Sequence, residues 1–426
     1  YMKIFLFFLV FYSLSFAQTY TLVDLYKLSF SNSEDYEISR LQSKYSDKEV
    51  DKSISEFYPK VDITTELMKI NEYPVIIDGI EQERRDKRRD TTFTVEQTIY
   101  DRNKYYDYKL KSNNFLQSEF EINKKQQELM FDVISYYLDS LLKAKQIELL
   151  NQKLKRIDTI VLRAKVKMDS GLISKADYLE AQLQKDEILT QIIKRKLDYK
   201  VSKSYLEKLS GVNEVDIKKN INLALFDINN LNKTNKNIED NLDIQVQKLK
   251  LKNSDMKVSK SISSFEPIVF AKYEHIQNDI PESENERTLS LFLKFNIFNG
   301  FYDVNNYQQS RIEKNIEKLN YEKLVKDVEQ NVKNKVNNLY SYYEIIKTYP
   351  EVLEAKRFVV DGMQERFNIG TKSIIDLLDE ENEYFEKLNI FTEYQYQLLL
   401  EYGELMKYTN YLNEDFLTEI DRLIYE

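Results

Sequence analysis

From Tyr100 to Gly171 the chain runs 71 positions without a proline or a glycine. Nothing in that stretch is a strong helix breaker. As one helix it would reach about 100 Å, at ~1.5 Å per residue. Its last part carries Leu150, Leu154, Ile157, Val161, Ala164 and Met168, spaced by turns 4 and 3 as in a coiled-coil seam. The whole chain of 426 residues holds only 7 Gly and 5 Pro, and 31% of it is charged. That composition suits long solvated helices with narrow apolar stripes.

The run ends at a glycine turn that the chain writes twice. Residues 168–180 read MDSGLISKADYLE and residues 367–379 read FNIGTKSIIDLLD. Gly171, Ser174, Asp177 and Leu179 have counterparts 199 positions on, in Gly370, Ser373, Asp376 and Leu378. A glycine enters the left-handed region at little cost and so ends a helix. A serine three residues later is suited to cap the next one. Each turn therefore predicts a helical hairpin tip, with both tips at the same end. After Gly370, the residues Ile374, Leu377, Tyr384, Leu388 and Phe391 continue a stripe that Glu381 interrupts. Pro350 is expected to kink or break its helix.

The repeat extends to whole halves. Pro59 matches Pro267, Tyr100-Asp101 matches Phe298-Asn299, and Val133 and Val332 each precede their turn glycine by 38 residues. A period near 200 residues is too long for a solenoid unit and indicates an internal duplication. The order predicted in each half is helix, proline, two strands, long helix, tip, helix. The first half, 18–211, has helices at 22–57, 101–169 and 173–210 and strands at 59–69 and 91–100. A linker, 212–231, leads to the second half, 232–413. That half has helices at 235–264, 300–368 and 372–411 and strands at 267–277 and 288–298. Residues 414–426 read as a tail.

The strands show period-two alternation. Leu289, Leu291, Leu293, Phe295 and Ile297 share one face, and so do Val61, Ile63 and Leu67. Each is about ten residues long, enough for a tilted strand to cross a bilayer. Between the first two lies a polar loop with Arg84, Arg85, Lys87, Arg88 and Arg89. Met2-Lys3, an apolar run and Ser15-x-Ala17 read as a signal peptide over 1–17. No later segment is apolar enough for a membrane helix. Four strands cannot close a barrel, and an open edge in lipid leaves backbone groups unpaired. Strands in a membrane would therefore have to be pooled by several copies.

With no Cys and one His, thiolate metal sites, disulfides and Cys nucleophiles are excluded, and an enzyme is not expected. No cofactor is called for. A net charge of −9 speaks against a nucleic-acid partner. Three functions fit the elements: an export duct, a structural coiled-coil protein of the cell envelope, or a passive porin. Having strands and long helices, both duplicated in the same order, favours the duct.

The order of elements, the strand-opening prolines and the two tips resemble the TolC-like outer-membrane factor family, the exit ducts of efflux pumps and type I secretion systems. GTKSIIDLLD at 370–379 is the most specific match. The resemblance implies a mainly α fold with membrane β. Three chains with four strands each would form a twelve-stranded barrel, continued by an α-helical coiled-coil barrel across the periplasm of a Gram-negative bacterium. It implies a homotrimer in outer-membrane lipid, partnered by a periplasmic adaptor (membrane fusion) protein and, through it, an inner-membrane transporter. It places Asp376 and Asp379 as an entrance constriction able to attract cations, three apart on one helix face. It places Asp177, Lys372 and Phe367 as gate links, with Phe367 where the family has a tyrosine. Lys372 stands where the family has an arginine and so lacks its bidentate geometry. Gly171, Leu172, Gly370 and Thr371 fall at adaptor-docking positions.

Overall fold

The computed structural model describes residues 20–217, 221–223, 226, 228, 238–278 and 285–425. The leader 1–17, parts of the linker 212–231 and the middle of the second strand-connecting loop lie outside the described residues. The described elements are α1 (Leu22–Asn32), α2 (Glu34–Ser55), β1 (Lys60–Ile77), β2 (Ile80–Tyr100), α3 (Arg102–Asp169) and α4 (Lys175–Ser210). They continue with α5 (Leu242–Ser263), β3 (Ile268–Asn278), β4 (Glu286–Lys294), α6 (Tyr302–Asn368), α7 (Ile374–Tyr408) and α8 (Glu414–Tyr425). None of the described helices is long and apolar enough to cross a membrane.

The chain divides into two compact units, and neither is a sequence repeat. One comprises Tyr1–Glu37, Lys124–Asn241 and Lys326–Glu426; the other comprises Ile38–Asn123 and Leu242–Val325. Each draws on both halves, because α3 and α6 contribute segments to both units.

The second unit holds an antiparallel sheet in the order β1-β2-β3-β4. Pro59 and Pro267 stand directly before β1 and β3, where a missing N–H breaks no ladder. Cross-strand rows separate the residue types. Val61, Val95, Tyr273 and Leu289 form one row, and Asp62, Thr94, Glu274 and Thr288 form the next on the opposite face. Leu291 and Leu293 continue the apolar face, and Leu289 is 78% exposed. One face is thus an uncovered apolar surface and the other carries charge. The helices of this unit are joined by polar contacts. Lys111 pairs with Glu49 at 2.8 Å, Lys260 with Asp107 at 2.7 Å, and the Asn113 amide donates to the Leu249 carbonyl at 3.0 Å.

The sheet departs from expectation at two places. The predicted polar loop after residue 69 is strand: β1 runs to Ile77 and β2 starts at Ile80. Asp78 (φ 50°) and Gly79 (φ 79°) make the tight turn, with both residues in the left-handed region that suits strand twist. Past Asp90, β2 has no β3 partner among the described residues. A two-stranded ribbon need not bury either face, so its sequence lacks period-two alternation. The second departure is β4, which stops at Lys294 rather than 298, where its pairing with Ile268 of β3 ends.

The first unit corrects three further expectations. The helix predicted over 22–57 is split at Ser33, whose backbone is extended and whose hydroxyl accepts from the Tyr36 amide at 3.2 Å. The helix passes through Pro350 without a break. Pro350 is exposed, so the carbonyl freed one turn earlier can be hydrated. The predicted tail is α8, an amphipathic helix burying Phe416, Leu417, Ile420, Leu423 and Ile424. Its Asp421 caps the start of α1, accepting from the Leu22 and Val23 amides at 3.0 and 3.3 Å. Burial pushes that carboxyl above its usual range.

Candidate functional site

The two tips are built by the same bonds. At the end of α3, the Leu172 amide donates to the Lys167 carbonyl at 2.8 Å and the Gly171 amide to the Met168 carbonyl at 2.9 Å. At the end of α6, Thr371 donates to Arg366 at 2.9 Å and Gly370 to Phe367 at 3.1 Å. Both sets are Schellman closures, with Gly171 at φ 71° and Gly370 at φ 81°. Three residues on, Ser174 and Ser373 open α4 and α7. Each hydroxyl accepts from an aspartate amide, of Asp177 or Asp376, at 3.1 Å, and each aspartate accepts back from the serine amide. These are paired capping boxes. The repeated sequence is thus a repeated stop-and-restart device.

A Cβ added at Gly370 would meet nothing within 4 Å, so only the backbone opposes it. Gly370→Ala is expected to cost about 1–2 kcal/mol through its left-handed φ. Gly362→Ala, in open space within α6 and without a positive φ, is expected to gain about 0.5–1 kcal/mol. Amide hydrogen exchange at Thr371 should accelerate in the first variant and not in the second.

A groove of about 990 Å³ lies between the tips, lined by Gly171, Leu172, Asp177, Gly370, Thr371, Lys372 and Asp376 among others. Leu172 and Ile369 are the large apolar residues on its rim, 72% and 73% exposed. The structure brings Asp177 and Lys372 to the same groove without joining them. Lys372 instead reaches its own turn's Asp376 at 3.8 Å. The Ser373 hydroxyl and amide, and then Lys372, hold the Asp376 carboxyl below its usual range. Asp379, one turn further, is exposed. Phe367 is not at the surface. It is buried with Ile157, Ile160, Val161, Ala164, Ile374 and Leu378, and the Lys167 ammonium lies 4.3 Å from its ring centre.

Two contributors escaped the sequence reading. Lys167 ties the tips together, donating to the Phe367 carbonyl and, at 3.1 Å, to that of Asn368. A cation in the last turn of α3 was the available signal. The second is the partner of Glu381. This carboxylate is fully buried on the packing side of α7, and Arg156 of α3 meets its Oε1 through Nε at 2.9 Å and a terminal nitrogen at 2.7 Å. Arg156 also lies 3.6 Å from Asp361 of α6. Burial pushes the Glu381 carboxyl up, with Arg156 opposing, and burial pushes the nearby Lys153 ammonium down.

The sequence profile described as "Outer membrane efflux protein" matches residues 25–212 and again 222–410. The chain belongs to the outer membrane efflux protein family. No curated protein sequence matches it significantly. Solved structures show the same fold. CusC, described with the changes that accompany folding and transmembrane channel formation, aligns with a TM-score of 0.82 at 13% identity, over 92% of this chain and 93% of that one. The CmeC outer membrane channel of Campylobacter jejuni gives 0.80 at 13%, over 95% and 89%. The open-state MtrE outer membrane channel of Neisseria gonorrhoeae gives 0.74 at 11%, over 92% and 90%. As an outer membrane efflux protein, the chain is an exit duct of an efflux pump in the outer membrane. The family is one of channels rather than of enzymes.

Proposed function

We propose that three copies of this efflux protein pool their sheets into one twelve-stranded barrel and their helices into a passive duct, gated at the periplasmic tips. The observation that supports this most is the sheet itself. It has an uncovered apolar face, a charged opposite face, and two edges, β1 and β4, that lipid cannot satisfy. Three equal copies related by a rotation axis close it without a free edge.

In such an assembly Asp376 and Asp379 recur threefold around the axis and form the entrance constriction. Their roles differ. Asp376 is committed to its cap and to Lys372, whereas Asp379 is free to face cations. Asp177 and Lys372, both lining the groove, are the gate links, and the buried Phe367 supports them from beneath. The exposed Leu172, with Gly171, Gly370 and Thr371, offers the docking surface for a periplasmic adaptor, which would connect the duct to an inner-membrane transporter. The groove carries no feature that selects one cargo, and the same duct would serve type I secretion.

Single-channel recording in planar bilayers tests the reading. Asp379→Asn is expected to lower cation selectivity and leave the cap intact. Selectivity equal to that of the parent chain would remove Asp379 from the constriction.

A further inference from the structure

We propose that Lys69, Arg89 and Arg287 form a cationic line at one end of the apolar sheet face, and that this line binds the phosphate of anionic lipid headgroups. The inference rests on the proposed duct, in which that face meets lipid, and names the lipid chemistry it meets.

The charges on the two faces are the first observation. On the apolar face of β4, Arg287 precedes Leu289, Leu291 and Leu293. Arg89 of β2 stands opposite Leu67, and Lys69 is the next residue of β1 on that face. All three cations are exposed. From Val61 to Lys69, Arg89 to Gln97, Val269 to Gln277 and Arg287 to Leu293, this face carries no Asp or Glu. The carboxylates of those strands, Asp62, Glu66, Asp90, Glu96, Glu274 and Glu286, lie on the other face. There the signs are mixed, and Lys272 pairs with Glu274 at 2.7 Å. On the apolar face the charge has one sign and is gathered at one end.

The second observation is height. Strands in a closed barrel tilt, so a level line steps along each strand relative to the ladder rows. The two strand-opening prolines measure the step. Pro59 lies two residues before Val61 and Pro267 six before Tyr273, while Val61 and Tyr273 share a row through Val95. The starts of β1 and β3 thus differ by four residues across two strands, or two residues per strand. The polar residues follow the same step in the same sense. Lys69 lies on β1, the row of Arg89 meets β1 at Leu67, that of Gln277 at Thr65 and that of Arg287 at Ile63. Lys69, Arg89, Gln277 and Arg287 therefore stand at one level across the four strands.

Such a line suits a headgroup phosphate. Lys and Arg lay their stems along apolar surface and extend their charge to the lipid interface. The penalty for a cation on a lipid face falls to about zero there. The other end of β2 leads directly into α3, so the line lies at the strand ends away from the helices. In the proposed duct those ends reach the outer leaflet. Among the described residues, no carboxylate on this face competes for the cations.

Native mass spectrometry of the full chain in detergent tests the line. The particle is titrated with phosphatidic acid or with phosphatidylcholine of the same acyl chains. The parent chain is expected to hold phosphatidic acid about a hundredfold more tightly, from about fivefold for each of three cations. Lys69→Gln with Arg89→Gln and Arg287→Gln should lose most of that preference. Lys294→Gln, on the opposite face, should keep it. A preference that survives the triple change overturns the assignment. Displacement by inorganic phosphate at matched concentration overturns the lipid as occupant. Equal binding of the two lipids by a parent particle of three copies overturns the line and leaves the duct standing. A parent particle of one copy overturns the duct, and the line with it.

Discussion

Leu291→Arg is expected to cost about 2–4 kcal/mol per copy, the penalty for a charge on the lipid face near mid-bilayer. In the proposed trimer the cost recurs in every copy, so the variant should fail to accumulate as an assembled particle. The claim depends on the face, not on the strand. Leu291 lies in β4 on the row of Ala271, and its side chain meets nothing that would shield a guanidinium from hydrocarbon. Thr288, three residues earlier, lies on the opposite face and is paired with Glu274. Thr288→Arg places its charge beside a carboxylate on the aqueous side and is expected to be near neutral. Folding into lipid vesicles, followed by the urea midpoint, reads both. Equal losses in the two variants would mean that the apolar face does not meet lipid.

The second large effect is expected at Arg156. Arg156→Ala leaves Glu381 buried with neither oxygen paired, since Oε2 already has no hydrogen-bond partner among the described residues. Stranding a buried charge costs about 3 kcal/mol, toward the lower end of the usual range because Arg156 is itself partly exposed. Arg156→Ala with Glu381→Leu should recover most of the loss, because the Leu fills the seam and needs no partner. Thermal melting followed by circular dichroism measures both. No recovery in the double variant would show that Arg156 acts through packing alone. The pH dependence has a definite sign. Burial raises the Glu381 carboxyl above its unfolded value. Its contribution to stability is therefore full below the ordinary carboxylate range and is lost as pH rises through the raised value. Glu381→Gln should flatten that slope.

The sequence exposes those features whose chemistry admits few solutions. Only glycine sits cheaply at the φ of Gly171 and Gly370, and only a short polar side chain caps as Ser174 and Ser373 do, so the tips were readable. The strand faces were readable where one face is apolar and the other polar, because period two is then enforced. The ribbon of β1 and β2 was not, because past Asp90 its backbone pairs only strand to strand among the described residues and nothing in the sequence enforces an alternation there. Its Asp78-Gly79 turn was a usable signal that the surrounding charges obscured. Phe367 reads as one of the gate links by its place in the motif. The last turn of α6 instead directs it at Ile157 and Val161, a packing choice that no local pattern declares. Arg156 and Glu381 are 225 positions apart, and only the fold brings them together. The end of β4 at Lys294 follows from where β3 begins at Ile268, a limit that the alternation of 288–298 does not declare.

The ribbon has a consequence for how such a protein changes over generations. Past Asp90, β1 and β2 bond only to each other among the described residues. Residues added or lost in matched pairs about Asp78-Gly79 lengthen or shorten the ribbon and leave every ladder pair of the four-stranded part in place. The ribbon leaves the sheet at the strand ends away from the helices. The ribbon can respond to selection apart from the four-stranded part, because among the described residues its ladder pairs past Asp90 join only β1 and β2.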